Sequence, residues 1–178
     1  ARSQNTRSGA WLCCDRPQSA PFTQRCPVPF PRRVCYGLPM IKLDIFSDPI
    51  CPWCYIGWTA LARAIAEAPD NPFVVEWHPF QLNPTMPREG MDRTEYLEHK
   101  FGGREGAVTA YAPIVERAEA EKLDMNLGGI ARTPNTLDAH RLIHWAGLEN
   151  RQTQVVDALF AAYFTENRDI GDPDTLAD

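Results

Sequence analysis

The feature that most constrains the fold is a pair of cysteines placed where a predicted strand gives way to a predicted helix. The stretch "IKLDIF" (41 to 46) alternates apolar and polar side chains, which predicts a β-strand. From Pro52 onward apolar side chains recur at helical spacing, and Pro69 ends the pattern. "FVVEWHPFQL" (73 to 82) is rich in β-branched and aromatic residues and predicts a second strand. This order predicts a right-handed parallel βαβ unit with Cys51 at its first junction.

Cys51 and Cys54 lie two residues apart on the first turn of the predicted helix, so their sulfurs share one side of it. The free amides at the helix N-terminus are expected to favour the Cys51 thiolate and to lower its pKa below about 8.5. Cys51 is therefore predicted to attack a disulfide, and Cys54 to resolve the mixed disulfide that results. Pro52 stiffens the loop, and Trp53 offers an apolar face to a substrate.

A metal site and inert packing are the two alternatives for this cysteine pair. A structural zinc site needs four ligands, and the other four cysteines all precede residue 40 at spacings unlike Cys-x2-Cys. A cysteine beside a proline at a strand-to-helix junction seldom serves only to fill space. The sequence therefore predicts no metal and favours redox chemistry at the two thiols.

Residues 1 to 39 differ in kind from the rest of the chain. They contain six Arg, one Asp and no Lys or Glu, together with six of the 16 Pro. They show no helical or strand periodicity. We expect a non-native or disordered leader here, with a native start at Met40, because "IKLDIF" follows that residue at once.

After the second predicted strand the pattern becomes helical. Asp92 and Glu95 form a capping box for a helix over "RTEYLEHKF". A longer helix is predicted through "EGAVTAYAPIVERAEAEKL", with Pro113 kinking or restarting it. "TPNTLDAHRLIHWAG" predicts a further helix with Thr133 as its cap and Pro134 at its first position. "RQTQVVDALFAAYFTEN" predicts the fourth helix of this block.

Charge and hydropathy exclude several classes of partner. The formal net charge is −5 and the isoelectric point is near 5.4, whereas nucleic-acid and anionic-membrane binding favour a basic face. No apolar run approaches the roughly 18 residues that a membrane span needs. The sequence predicts a soluble, cytoplasmic protein that binds neither nucleic acid nor membrane.

Three stretches in order carry a resemblance to a known family. "SDPICPWCYIGW" after the first strand, "WHPFQLNP" in the second and "TPNTLDAHRLIHWA" in the helical block resemble the DsbA-like thioredoxin-fold oxidoreductases. The similarity is strongest to the FrnE-like branch, which is related to 2-hydroxychromene-2-carboxylate isomerases. It covers the chain from about Ile41 to Asp178.

The resemblance implies an α/β chain with a thioredoxin-like fold and an inserted helical domain. Residues 40 to 88 would form the N-terminal βαβ half with Cys-Pro-Trp-Cys, and residues 89 to 178 a truncated helical insertion. The C-terminal ββα half, with its cis-proline loop, is expected to be missing because no such stretch occurs before Asp178. The first strand would then keep an unpaired edge, which predicts poor stability and weak activity.

The resemblance also implies the function and its partners. A disulfide oxidoreductase would exchange disulfides with proteins or small molecules through Cys51 and Cys54, with no prosthetic group and with glutathione as a possible redox partner. One alternative is a glutathione-dependent isomerase or transferase of the same superfamily, although those enzymes resemble this layout with a serine near the Cys51 position. Another alternative is a non-enzymatic helical binding module.

Three histidines are further candidates for site residues. His78 would lie near the cysteines in the family layout and could shuttle a proton, although a structural, hydrogen-bonded role is favoured. His140 and His144 share a helix face, as in metallopeptidases, but Arg141 stands where the catalytic Glu would be. We expect His140 and the region of Asn135 to pack the helical block against the active-site face.

Overall fold

The computed structural model describes residues 40–68 and 71–178. The leader predicted for residues 1 to 39 lies outside the described residues. The elements follow in the order β1 (Ile41–Ser47), α1 (Pro52–Glu67), β2 (Phe73–Pro79), β3 (Met91–Asp92), α2 (Arg93–Phe101), α3 (Arg104–Ala120), a 3-10 turn (Leu127–Gly129), β4 (Arg132–Thr133), α4 (Leu137–Leu148), α5 (Gln152–Phe164) and α6 (Pro173–Ala177).

The predicted βαβ unit is confirmed. β1 and β2 are parallel neighbours, in a register that runs from Ile41 opposite Phe73 to Ser47 opposite Pro79. Helix α1 starts with Pro52 at its first position, where the missing amide hydrogen costs nothing, and Cys51 is its N-cap residue. β2 ends three residues before the predicted bound.

The first two helices of the block form largely as the sequence predicts. The carboxylate of Asp92 caps α2 by accepting hydrogen bonds from the amides of Thr94 and Glu95. Gly102 ends that helix in the left-handed region at φ 75°, which a residue with a side chain rarely adopts. Pro113 lies inside α3 without restarting it, since the helix is continuous over Arg104–Ala120.

The predicted start of the next helix is wrong by three residues. Thr133 does not cap it; instead Thr133 lies in β4 and pairs with Met91 of β3. The helix α4 has Thr136 as its N-cap residue, and the side chain of Asn135 accepts a hydrogen bond from the amide of Leu137. The short β3–β4 ladder includes the residue that the sequence assigns to the helix start, and strand pairing at Thr133 excludes helical torsion angles there.

The helical block packs on the βαβ unit through an aromatic core. Trp58 of α1 and Trp77 of β2 meet edge to face, with ring centroids 4.8 Å apart. The side chain of Gln152 pairs with the backbone of Trp77 by donating to its carbonyl and accepting from its amide, at 3.2 and 3.0 Å. The core residues of this contact are Ile50, Trp58, Trp77, Ile130, Ala139, Ile143, Val156, Leu159, Phe160, Ala162, Tyr163, Phe164 and Ile170.

Helices α2 and α3 form the second part of the block. They pack together beside α1, where Ile56, Ile114 and Ala118 make a small buried cluster. This arrangement places the α2–α3 pair over the start of α1, where the two cysteines lie. Within the described ranges, no helix combines the length and apolar character that crossing a membrane demands.

Candidate active site

Cys51 lies at the end of the loop that joins β1 to α1. Its amide donates to the carbonyl of Asp48 at 2.9 Å, and its own carbonyl accepts from the amides of Cys54 and Tyr55. Both Cys51 and Cys54 are half-buried free thiols. Their side chains are hydrogen-bonded to each other, as the spacing predicts.

The two thiols perturb each other's pKa, and the direction of the shift at Cys51 differs from the one that the sequence predicts. The hydrogen bond from Cys51 lowers the pKa of Cys54 to about 6, and a backbone hydrogen bond at Asp48 also lowers it, whereas burial and the charge of the Asp48 carboxylate raise it. The pKa of Cys51 is raised, first because its proton is held by the Cys54 sulfur and second because of burial. The amides of Trp53 and Cys54 do favour the Cys51 thiolate, as predicted, but these bonds are outweighed.

Cys51 opens into a cavity of about 270 Å³ between α1 and the α2–α3 pair. Trp53 is 48% exposed at this cavity, and Pro52 is buried beside it. The lining contains two cations, three aromatic side chains beyond Trp53 and no carboxylate. The lining residues are Ile50, Cys51, Pro52, Trp53, Leu82, Arg93, Tyr96, Lys100, Phe101, Ala110, Tyr111 and Ile114.

Cys54 opens on the other side of α1, into an apolar groove of about 210 Å³ along β1. Phe46 forms part of this groove and is 67% exposed. The groove is lined by Leu43, Ile45, Phe46, Ser47, Cys54, Gly57, Trp58 and Leu61. The two sulfurs therefore have chemically different surroundings, although only one helical turn separates them.

Asp48 is a buried carboxylate beneath the cysteine loop, with only 1% of its surface exposed. One of its oxygens accepts from the amide of Ile50 at 3.3 Å, and the other accepts from the amide of Leu82 at 2.8 Å. Burial raises the pKa of Asp48, and these amide hydrogen bonds oppose the rise. Asp48 therefore ties the cysteine loop to the segment that follows β2.

His140 of α4 faces this carboxylate, which confirms that it packs the helical block against the active-site side. Its Nε2 atom lies 4.0 Å from Oδ1 of Asp48 and has no hydrogen-bond partner among the described residues. Burial lowers the pKa of His140, and the charge of Asp48 opposes that shift. His144, one turn along α4, lines a different surface near Val74 and Leu148.

His78 lies in a polar cluster on the exposed face of the sheet. Its Nε2 atom is 2.6 Å from Oδ1 of Asp44, and its ring stacks on Phe46 with centroids 4.9 Å apart. Among the described residues, no hydrogen bond joins His78 to either cysteine. Asp44, Glu76 and His78 offer ligand atoms within 4.8 Å of one another, but Nζ of Lys42 lies 3.0 and 2.9 Å from the two carboxylates and supplies their countercharge.

Neither Asp48 nor Arg93 stands out in the sequence as a site residue. Asp48 is the middle residue of "SDP", a common turn sequence, and Arg93 follows a helix cap where charged side chains are normally solvated. Their burial depends on contacts with Leu82, Tyr111 and Tyr163, which are distant along the chain. A polar residue directly after a strand that leads into the cysteine loop is the one signal that points to Asp48.

Comparisons with known proteins agree with this geometry. The family model of the DSBA-like thioredoxin domain matches residues 42–178. The chain is 28% identical over 136 residues to the uncharacterized protein YwbO of Bacillus subtilis (strain 168), covering 76% of this chain and 62% of that protein. It is also similar to the crystal structure of the probable DsbA oxidoreductase SCO1869 from Streptomyces coelicolor, with a TM-score of 0.65 and 28% identity.

That structural match covers 76% of this chain and 59% of the Streptomyces protein. The chain therefore spans about three fifths of the length of the relatives it matches. The parallel βαβ unit, the cysteine pair at the start of α1 and the family match over most of the chain lead to one assignment. The chain has the DsbA-like thioredoxin fold and belongs to the family of DSBA-like thioredoxin domains.

Proposed function

We propose that this chain is a thiol–disulfide oxidoreductase that works through Cys51 and Cys54, in the FrnE-like branch of its family. The observation that carries the proposal is the hydrogen-bonded pair of free thiols at the start of α1, with one sulfur at the wall of a cavity. Family membership supports oxidoreductase chemistry at the level of the family.

In the proposed first step, Cys51 attacks the substrate disulfide. The Cys51 proton passes along the hydrogen bond to Cys54, which leaves the charge on Cys51, where the amides of Trp53 and Cys54 stabilise it. The Cys51 thiolate forms a bond to one sulfur of the substrate while the substrate disulfide breaks, and the departing thiolate takes a proton from solvent. Cys51 is favoured as the attacking group because it lines the larger cavity.

In the second step, Cys54 releases to solvent the proton that it took from Cys51, and its thiolate then attacks Cys51 and displaces the remaining half of the substrate. An internal Cys51–Cys54 disulfide forms, and the substrate leaves as a second thiol, so two electrons pass from the protein to the substrate. In the mixed disulfide Cys51 has no proton to donate, so the backbone hydrogen bond at Asp48 is the contact that still lowers the pKa of Cys54 against burial. The same steps in reverse would oxidise a substrate dithiol, with protein dithiols or glutathione as the exchange partner.

A glutathione redox titration tests the proposal. The chain is equilibrated at a series of glutathione potentials, and the free thiols at Cys51 and Cys54 are counted by alkylation and peptide mapping. We expect a reversible two-electron transition that joins the two cysteines and is lost in Cys51→Ser. A glutathione adduct that stays on Cys51 without bridging to Cys54 would instead favour the glutathione-dependent isomerase or transferase class.

A further inference from the structure

Arg93 is a buried cation in the wall of the Cys51 cavity. Only 6% of its surface is exposed. Its guanidinium donates to the hydroxyls of Tyr111, Tyr163 and Thr133, at 2.7, 3.2 and 3.3 Å. Its Nε atom is buried and has no hydrogen-bond partner among the described residues.

The charge of Arg93 is not neutralised by the described part of the chain. None of the ion pairs found there includes Arg93. Tyr111 and Tyr163 do not supply a negative charge, because burial raises the pKa of both hydroxyls. Neutral hydroxyls and the rings of Tyr111 and Tyr163, whose centroids lie 5.5 and 6.0 Å from the guanidinium carbon, are its partners among the described residues. A buried charge with no countercharge is costly, so this guanidinium is expected to have an anion as its ligand.

A second cation lies in the same wall. Nζ of Lys100 donates to the hydroxyl of Tyr96 at 2.6 Å and lies 5.1 Å from the centroid of that ring. No Asp or Glu lines this cavity, although the chain as a whole carries a net charge of −5. Two cations and no carboxylate around one cysteine make this cavity an exception on an acidic chain.

We infer that the Cys51 cavity binds the carboxylate of a small thiol or disulfide and that Arg93 and Lys100 select for this group. Guanidinium groups bind carboxylates through paired, charge-assisted hydrogen bonds. A volume of about 270 Å³ suits a low-molecular-weight ligand. The inference rests on the proposed function, since it names the substrate class of the same site.

The reaction with such a substrate has a complete electron balance. The Cys51 thiolate bonds to one sulfur of the carboxylate-bearing disulfide, and the bond between the two substrate sulfurs breaks. The departing carboxylate-bearing thiolate takes a proton from solvent, and Cys54 then displaces the other half. Cys51 and Cys54 lose two electrons, and the substrate disulfide gains them as two thiols.

Alkylation with iodoacetate and iodoacetamide tests the inference on the reduced chain. The two reagents have nearly the same size, and each forms a sulfur–carbon bond as iodide leaves, but only iodoacetate carries a carboxylate. The rate at each cysteine is measured by quenching and peptide mapping, and Cys54 serves as the internal control because its groove is apolar. We expect the iodoacetate-to-iodoacetamide rate ratio at Cys51 to exceed that at Cys54 by about tenfold.

Two variants and a competitor show which groups are responsible. Lys100→Gln should reduce the Cys51 ratio by about threefold and Arg93→Gln by about tenfold, because each removes a cation from the cavity wall. Arg104→Gln removes an exposed cation outside the lining and should leave the ratio unchanged. Propionate should slow the iodoacetamide reaction of Cys51 in the unaltered chain, whereas propionamide should not, and this comparison stands even if Arg93→Gln fails to fold.

The outcomes separate the two proposals. Equal rate ratios at Cys51 and Cys54, with no protection by propionate, would overturn the inference while leaving disulfide exchange intact. Failure of Cys51 to react with either reagent, together with no redox transition in the glutathione titration, would overturn the proposed function itself.

Discussion

The two sides of helix α1 give Cys51 and Cys54 different surroundings. On one side, helices α2 and α3 of the helical block bring cations and aromatic rings to Cys51. On the other side, strand β1 brings apolar side chains and Ser47 to Cys54. A pair of identical thiols three positions apart thus becomes asymmetric through its neighbours. The βαβ unit supplies the two sulfurs, and the helical block supplies most of the lining of the cavity at Cys51, where we propose that the substrate is selected.

Replacing each cysteine in turn is the strongest test of whether the two thiols have different roles. We expect Cys51→Ser to slow exchange with 2-hydroxyethyl disulfide by at least about 10³-fold, because a serine hydroxyl is a far weaker nucleophile than a thiolate. Cys54→Ser should still complete the first step and accumulate a mixed disulfide on Cys51. Exchange kinetics with mass detection of the adduct measure both effects. Rapid exchange by Cys51→Ser would assign the attack to Cys54.

The core of the helical block and the groove at Cys54 also differ in what their aromatic residues contribute to stability. Phe160 is fully buried in the core of the helical block, and Phe160→Ala should lower the free energy of unfolding by about 3–5 kcal/mol. Phe46 is exposed at the groove of Cys54, and Phe46→Ala should change the free energy of unfolding by less than about 0.5 kcal/mol. Urea unfolding followed by tryptophan fluorescence measures both variants. A large loss in Phe46→Ala would show that the groove is covered in solution.

The pH dependence of alkylation tests what lowers the pKa of Cys54. In the reduced chain, the alkylation rate of Cys54 should rise with pH around about 6, because the hydrogen bond from Cys51 lowers its pKa. Cys51→Ala removes that donor, so the midpoint for Cys54 should move up towards the ordinary thiol value of about 8.5. An unchanged midpoint in Cys51→Ala would assign the low pKa to the backbone hydrogen bond at Asp48 instead.

Asp48 connects the cysteine loop to the rest of the fold, and Asp48→Asn is expected to have a smaller effect. The amide keeps one acceptor oxygen but loses the other, which should cost about 1–3 kcal/mol of unfolding free energy. Because burial raises the folded-state pKa of Asp48, its stabilising contribution is complete below the unfolded value of about 3.9 and is lost as pH rises through the folded pKa.

Chemical denaturation of the unaltered chain and of Asp48→Asn at several pH values tests the direction of this pH dependence. The stability advantage of the unaltered chain over Asp48→Asn should be largest at low pH and should shrink as pH increases. Burial lowers the pKa of His140 and the Asp48 carboxylate, 4.0 Å away, opposes that shift, so Asp48→Asn also changes the titration of His140. The comparison is therefore repeated in a His140→Gln background. An advantage that grows with pH would mean that the Asp48 carboxylate is stabilised in its charged form.

Local patterns were sufficient to predict much of the fold. The strand at 41 to 46, the helix from Pro52 and the cap at Asp92 each depend on residues close together in the sequence, and all three are present. The start of α4 was predicted wrongly because the pairing of Thr133 with Met91 joins segments 42 residues apart. A cap preference at one residue is weak, and tertiary pairing overrides it.

The site was predictable to a lesser extent. The spacing of Cys51 and Cys54 and the amides at the helix start follow from local sequence, and the structure contains both. The directions of the two pKa shifts were not predictable, because they depend on the interaction between the two sulfurs and on the backbone and carboxylate of Asp48. Arg93 belongs to the cavity through two tyrosines that lie 18 and 70 positions away, which no local pattern reveals.

The most direct test of the different roles of the two sulfurs is to identify which of them forms the first mixed disulfide. The reduced, unaltered chain is mixed with one equivalent of 2-hydroxyethyl disulfide, quenched with acid at millisecond intervals and mapped by mass spectrometry. The structure predicts an adduct on Cys51 first, followed by the Cys51–Cys54 disulfide and release of a second mercaptoethanol. A first adduct on Cys54, or a Cys51 adduct that never converts to the internal disulfide, would contradict the account.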